Sequence, residues 1–206
     1  AFHGTPTSEN GGELAQGYYR HRADNHLSWA LCGLLAAGIA TGDGPLAAYA
    51  LDGGVWQDSR GGAYRNPSPI REVIRLAIER DGPAPGRVFE ERIERTPRIG
   101  YALFHLEAMM LAARMAWVHR LADLWAGDDQ TGTRLLAAHR RYAPFLLGRQ
   151  SSPDPAEADR IRGRWLMALS HAAFGGRHRR SLIAARPLGG HWSHMVGPAS
   201  LLFGPT

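Results

Sequence analysis

There is no lysine in this chain. All 24 of its basic residues are arginine, set against 19 acidic ones, for a formal net charge of +5 over 206 residues. Arginine offers a planar fork that pairs bidentately with carboxylate or phosphate, whereas lysine is a hydrated point charge. GC-rich coding also favours the abundant Ala, Gly and Pro and is the simplest cause of the bias; a surface suited to polyanions follows whatever the origin. Cysteine is almost absent. Cys32 stands alone, which excludes an intramolecular disulfide, and its apolar surroundings mark a buried, inert thiol rather than a nucleophile.

No run approaches the roughly 20 apolar residues of a membrane span, so no membrane partner is expected. Walker-type and dinucleotide glycine motifs are missing, and no histidine pair has zinc-ligand spacing on a helix. The expectation is a protein without cofactor or metal. The basic runs "RGRW" (162–165) and "GRHRR" (176–180) read as solvated faces, and no nucleic acid is expected as partner. The chain opens at Ala1 without methionine or a basic-then-apolar leader, which reads as a processed chain and fits a periplasmic or secreted protein.

What the chain does have is a hydrophobic fraction of 44%, ample for one core. Residues 1–17 are rich in Gly, Ser and Thr without periodicity and read as a loose arm; residues 18–206 read as a single α-helical domain. Helices are predicted over 27–40, 45–58, 69–80, 98–125, 131–147 and 155–174, with "GGAYRNPSP" and "DGPAPG" as loops. Ile70, Val73, Ile74, Ala77 and Ile78 share one face of the third. Pro144 is expected to kink or end the fifth. The tail from 185, punctuated by Gly and Pro, holds a short strand or none. Period-two alternation persists nowhere, so the class is all-α.

Two polar clusters interrupt this helical pattern. "DNHLSW" (24–29) puts an acid, an amide and an imidazole where a helix begins, amid free backbone N–H groups and a positive local field. Asp24 or Asn25 serves as N-cap, and His26 is either a bystander or a reactive group. In "ERTPRIGYALFHLE" (94–107), Arg98, Tyr101 and His105 lie three and four residues apart and share a helix face, with Arg95 just before the start. Asn, His, Arg and Tyr together suit β-elimination on a uronic acid. Amide and guanidinium stabilise the enolate-like charge that develops beside the carboxylate, while His or Tyr moves the protons.

With these clusters the chain resembles the family 5 polysaccharide lyases, the mannuronate-specific alginate lyases. "DNHLSWALCGLLAAGIATGDG" is similar to that family's Asn-Asn-His-x-x-Trp helix, with Asp24 in place of the first asparagine. "IERDGPAPG…ERTPRIGYALFHLEAMMLAARMA" resembles its Asp-Gly-x-x-Pro turn, Arg-rich segment, Tyr and apolar helix. "ARPLGGHWSHMVGPASLLFG" resembles its closing Gly-Gly and Leu-Leu-(Tyr/Phe)-Gly. The likeness covers about residues 18–125 and 186–206. It implies a compact or incomplete α/α toroid and an anionic uronate polymer as substrate.

By this likeness Asn25 and an arginine would neutralise the carboxylate, with His26 and Tyr101 as base and acid. Arg98 and Arg95 compete for the arginine's place, and Arg98 is taken as catalytic and Arg95 as substrate-binding. Trp29, His105, His191 and Trp192 are the other expected substrate-binding residues. Two alternatives stay open: a non-catalytic protein that binds polyanionic polysaccharide, and a lyase for polyglucuronate. A helical glycoside hydrolase ranks last, because it needs a pair of carboxylates.

An arginine-only cation set of net +5 predicts a steep salt dependence. Polymannuronate binding, followed by titration calorimetry, should weaken strongly between low and physiological salt, where charges are screened over about 8–10 Å. A neutral glucan should bind little at any ionic strength. Equal affinity for the two polymers would remove the polyanion reading.

Overall fold

The computed structural model describes residues 23–92, 98–126 and 130–146, together with Leu166 and the short pieces 192–193 and 197–198. Within them the chain is all-α apart from two small hairpins. Helix α1 (Asn25–Thr41) opens on Asp24 and closes on Gly42, whose φ of 71° supplies the left-handed turn. Helix α2 (Gly44–Asp52) follows at once, capped by the Asp43 carboxylate on the Leu46 N–H at 2.9 Å, with Pro45 in its first turn.

The helix expected over 45–58 stops at Asp52. Gly53 and Gly54 both take positive φ, 85° and 91°, and the aromatic and β-branched residues behind them go into a hairpin instead. Strand β1 (Gly54–Gln57) pairs antiparallel with β2 (Ala63–Asn66), Val55 opposite Arg65 and Trp56 opposite Tyr64. Part of the predicted "GGAYRNPSP" loop is therefore strand. Asp58 holds the turn through the N–H groups of Arg60 and Gly62 and the Tyr64 hydroxyl.

Helix α3 (Ile70–Ala77) buries Ile70, Val73, Ile74 and Ala77, the face that the sequence pattern predicts. It ends short of Arg80 because Ile78 turns extended and bridges to Val88. That bridge closes the loop between them, and Glu79 and Arg87 reinforce it through backbone and side chains. The chain is thus delivered into a one-turn helix, α4 (Phe89–Arg92).

Helix α5 (Arg98–Val118) is the central element. Ala102, Leu106, Met110, Ala113 and Ala116 are all sealed from solvent, and α1 and α4 pack along it. It stops seven residues before the expected Trp125. Arg120 takes φ 55°, and the Leu121 N–H reaches back to the Ala116 carbonyl at 2.8 Å, a left-handed helix stop that no glycine announces. Helix α6 (Gln130–Leu146) lies against α3 and carries Pro144 two residues before Leu146.

Core residues from all of α1 to α6 except α4 merge into one cluster, with Phe89 of α4 packed against it. Cys32 belongs to that cluster, and burial pushes its thiol up to about 12. In the tail, β3 (Trp192–Ser193) pairs with β4 (Gly197–Pro198). The arm 1–17 and the helix predicted over 155–174 lie outside the described residues, Leu166 excepted. Among the described residues no helix is long and apolar enough to cross a membrane.

Helices α1 and α2 meet backbone to backbone at Gly38, where an added Cβ would stand 2.7 Å from the Ala47 nitrogen and 3.0 Å from the Asp43 oxygen. Gly38→Ala should cost about 1–3 kcal/mol of stability, the usual scale for overpacking. Gly33, on the open side of the same helix with nothing within 4 Å, should gain up to about 1 kcal/mol on replacement by alanine. Denaturant midpoints of the two variants test both signs.

Candidate active site

The start of α1 separates three neighbouring polar residues into three environments. Asp24 is 6% exposed and turns inward, its Oδ1 accepting from the N–H groups of His26 at 3.1 Å and Leu27 at 3.2 Å. Its charge sits at the positive end of the helix, where it is favoured. Asn25 is 2% exposed. Its backbone N–H donates to Glu90 Oε1 at 3.1 Å, and its side-chain oxygen is buried without a hydrogen-bond partner. His26 is exposed, its ring at the surface beside these two.

One turn on, Ser28 and Trp29 join α1 to α5. Ser28 Oγ lies 2.5 Å from His105 Nε2, and the Trp29 indole N–H donates to the Phe104 carbonyl at 3.1 Å. The Trp29 and Phe104 rings stand 5.1 Å apart. The other His105 nitrogen, Nδ1, is 2.8 Å from Glu90 Oε2. Ser28, His105 and Glu90 are 3%, 0% and 1% exposed, so the chain of contacts runs through the buried interior. Tyr101, one turn before His105 on α5, is half-buried.

Of the residues singled out in the sequence, α1 thus carries Asn25, His26 and Trp29, and α5 carries Tyr101 and His105. The Ser28–His105 and Trp29–Phe104 contacts bring the two helices together. His105 meets protein partners on both nitrogens rather than solvent. Arg98 opens α5 and Trp192 opens β3; Arg95 and His191 lie outside the described residues.

Sequence reasoning passed over Glu90 and Ser28. Glu90 sits in "RVFEERIER", where alternating charges look like a solvated face, and only its apolar neighbours Val88 and Phe89 hinted at burial. Ser28 stands inside the polar cluster itself and reads as filler between His26 and Trp29. Among the described residues, no group of three or more His, Cys, Asp or Glu side chains could hold a metal ion.

The model of the alginate lyase family matches residues 8–152, a span that contains α1, α5 and both polar clusters. The chain belongs to the alginate lyase family. It is accordingly a polysaccharide lyase of the kind that acts on alginate, an anionic polysaccharide. No curated protein and no solved structure matches it. The family match stops short of the tail, so His191 and Trp192 fall outside it.

In this alginate lyase family member, Asp24 is an N-cap rather than a charge aimed at the site. Asp24→Asn should therefore keep the unfolding free energy within about 0.5 kcal/mol, because the two residues cap comparably. Asp24→Ala should cost about 1 kcal/mol or somewhat more. A loss of equal size in both variants would show that the carboxylate does something beyond capping.

Proposed function

We propose that the protein cleaves polymannuronate by β-elimination at the N-terminal turn of α1, with Asn25, His26, Arg98 and Tyr101 as the reacting groups. The observation that carries this reading is the Asn25 amide. It is almost fully buried, fixed through its own backbone, and has one polar atom without a protein partner. A buried amide oxygen without a partner is costly unless another group satisfies it. Either end of the amide suits a uronate: NH2 donates to the carboxylate, and the oxygen accepts from a sugar hydroxyl.

The chemistry follows in order. The proton on the carbon bearing the carboxylate leaves to His26 or Tyr101, and the electron pair moves into the carboxylate as enolate-like charge. Asn25 and the Arg98 guanidinium stabilise that charge, which grows only as the proton departs. The pair then returns to form the carbon–carbon double bond as the bond to the glycosidic oxygen breaks. That oxygen takes a proton from the Tyr101 hydroxyl. The products are an unsaturated uronate and a shortened chain with a new end. Trp29 offers an aromatic face one turn from His26, and Arg95, His191 and Trp192 extend the proposed contact with the polymer. An alginate-degrading enzyme meets its substrate outside the cytoplasm, which supports a periplasmic or secreted place of action.

Ultraviolet absorbance of the unsaturated product tests this directly. Wild-type protein should generate it from polymannuronate, and faster than from polyguluronate or polyglucuronate. Tyr101→Phe should lower kcat by about 10²–10⁴, the scale of general acid–base help, with polymer affinity little changed. Affinity without turnover in the wild type would leave a polysaccharide-binding protein in place of a lyase.

A further inference from the structure

We propose that Ser28, His105 and Glu90 form a buried positioning network that sets Asn25 on α1 and Tyr101 on α5 at their working separation. The inference rests on the elimination reading above and adds three residues to it. Glu90 acts with both carboxylate oxygens. Oε1 holds the backbone N–H of Asn25 at 3.1 Å, and Oε2 holds His105 Nδ1 at 2.8 Å. Nδ1 then donates to the carboxylate, and Nε2 meets the Ser28 hydroxyl at 2.5 Å. The path closes on α1 three residues from where it began. It fixes both the start of α1 and its rotation against α5.

The connection to chemistry is short. Asn25 is held through its own backbone nitrogen, and Tyr101 lies one turn from His105 on the same face of α5. A shift of the α1–α5 contact therefore moves the amide and the phenol relative to each other. Misplacement by about 1 Å can cost a factor of about 10² in rate.

The contact order Ser–His–acid is also that of a hydrolase nucleophile, but the site is closed. Ser28 is 3% exposed, and its Oγ also lies 3.2 Å from the Asp24 carbonyl within the helix's first turn. An acyl group would have to displace α5 to reach it. Positioning is what this geometry can do.

Glu90→Gln is the informative conservative change. Its amide oxygen still accepts from the Asn25 N–H, and its NH2 donates to Nδ1. The ring then carries its proton on Nε2 and donates to Ser28, whose hydroxyl keeps donating to the Asp24 carbonyl. Every contact survives, the one at Nδ1 with its direction reversed. Glu90→Ala removes two contacts, and Ser28→Ala removes the interhelical one while changing a single buried atom.

Wild type, Glu90→Gln, Glu90→Ala and Ser28→Ala are to be compared on polymannuronate well below their unfolding temperatures. Ser28→Ala and Glu90→Ala should lose about 10-fold to 10²-fold in kcat with KM within about twofold, while Glu90→Gln stays within about threefold of wild type. Should Glu90→Ala not fold, Ser28→Ala carries the comparison. Wild-type kcat in folded Ser28→Ala would overturn the network and leave the lyase reading intact. Absence of product from wild type would overturn the lyase reading itself. Labelling of Ser28 by a fluorophosphonate would overturn positioning in favour of a nucleophile.

Discussion

Two neighbouring carboxylates on a single helical turn hold the described part of this molecule together. Glu90 faces one way, to the start of α1 and to His105 on α5. Glu91 faces the other, to the Arg141 guanidinium at 3.1 and 3.2 Å and to the Tyr142 hydroxyl on α6. Tyr142 in turn accepts from the Val88 N–H, just before α4, and burial beside Glu91 pushes its phenol well up. Charges removed from water destabilise unless fully surrounded by partners, so Glu90 dictates where α1, α4 and α5 stand, and Glu91 ties α4 to α6. A turn as short as α4 could not do this by apolar contact alone. Nor do the two acids form a glycosidase pair, since both are engaged within the protein and point to opposite sides.

That arrangement depends on how the chain enters α4. The Ile78–Val88 bridge and the Glu79–Arg87 pair clip the loop "RDGPAPG" shut, so Val88 and Phe89 arrive against the core with the two glutamates behind them. The same clip ends α3 early. A shortened helix and a correctly aimed pair of acids are one event, because Ile78 cannot continue a helix and also bridge to Val88.

Much of this was legible in the residues and some was not, for physical reasons. Apolar periodicity marks α1, α3 and α6 to within a few residues, since burial on one face is a local property of each segment. Element ends were harder. Two glycines with positive φ stop α2 at Asp52, where helical composition seemed to run on. Arg120 stops α5 at a residue type that rarely adopts φ 55°, and the reason lies in the Leu121–Ala116 contact rather than in any local signal. At the site, Asn25, His26 and Tyr101 stood out because amide, imidazole and phenol are chemically conspicuous. Glu90 did not, because a buried acid and a solvated one look the same in a charged run, and its partners are 65 and 15 residues away.

The acid, amide and imidazole at the mouth of α1 then have a common explanation. A helix start offers free N–H groups and a positive field, and something must satisfy them when the turn is buried. Asp24 satisfies those of His26 and Leu27 as the cap, and Glu90 satisfies that of Asn25 from α4. With the backbone needs met by two acids, the Asn25 amide is released from capping. That is why its oxygen can stand buried and unpartnered in an otherwise satisfied turn. Had Asn25 been the cap, its side chain would have folded back onto the helix and left His26 alone at the surface. Asp24, the least lyase-like residue of the cluster, is therefore what leaves its neighbour's amide unengaged by the helix. The acid that stands in place of an asparagine turns its charge into the start of the helix rather than outward beside His26.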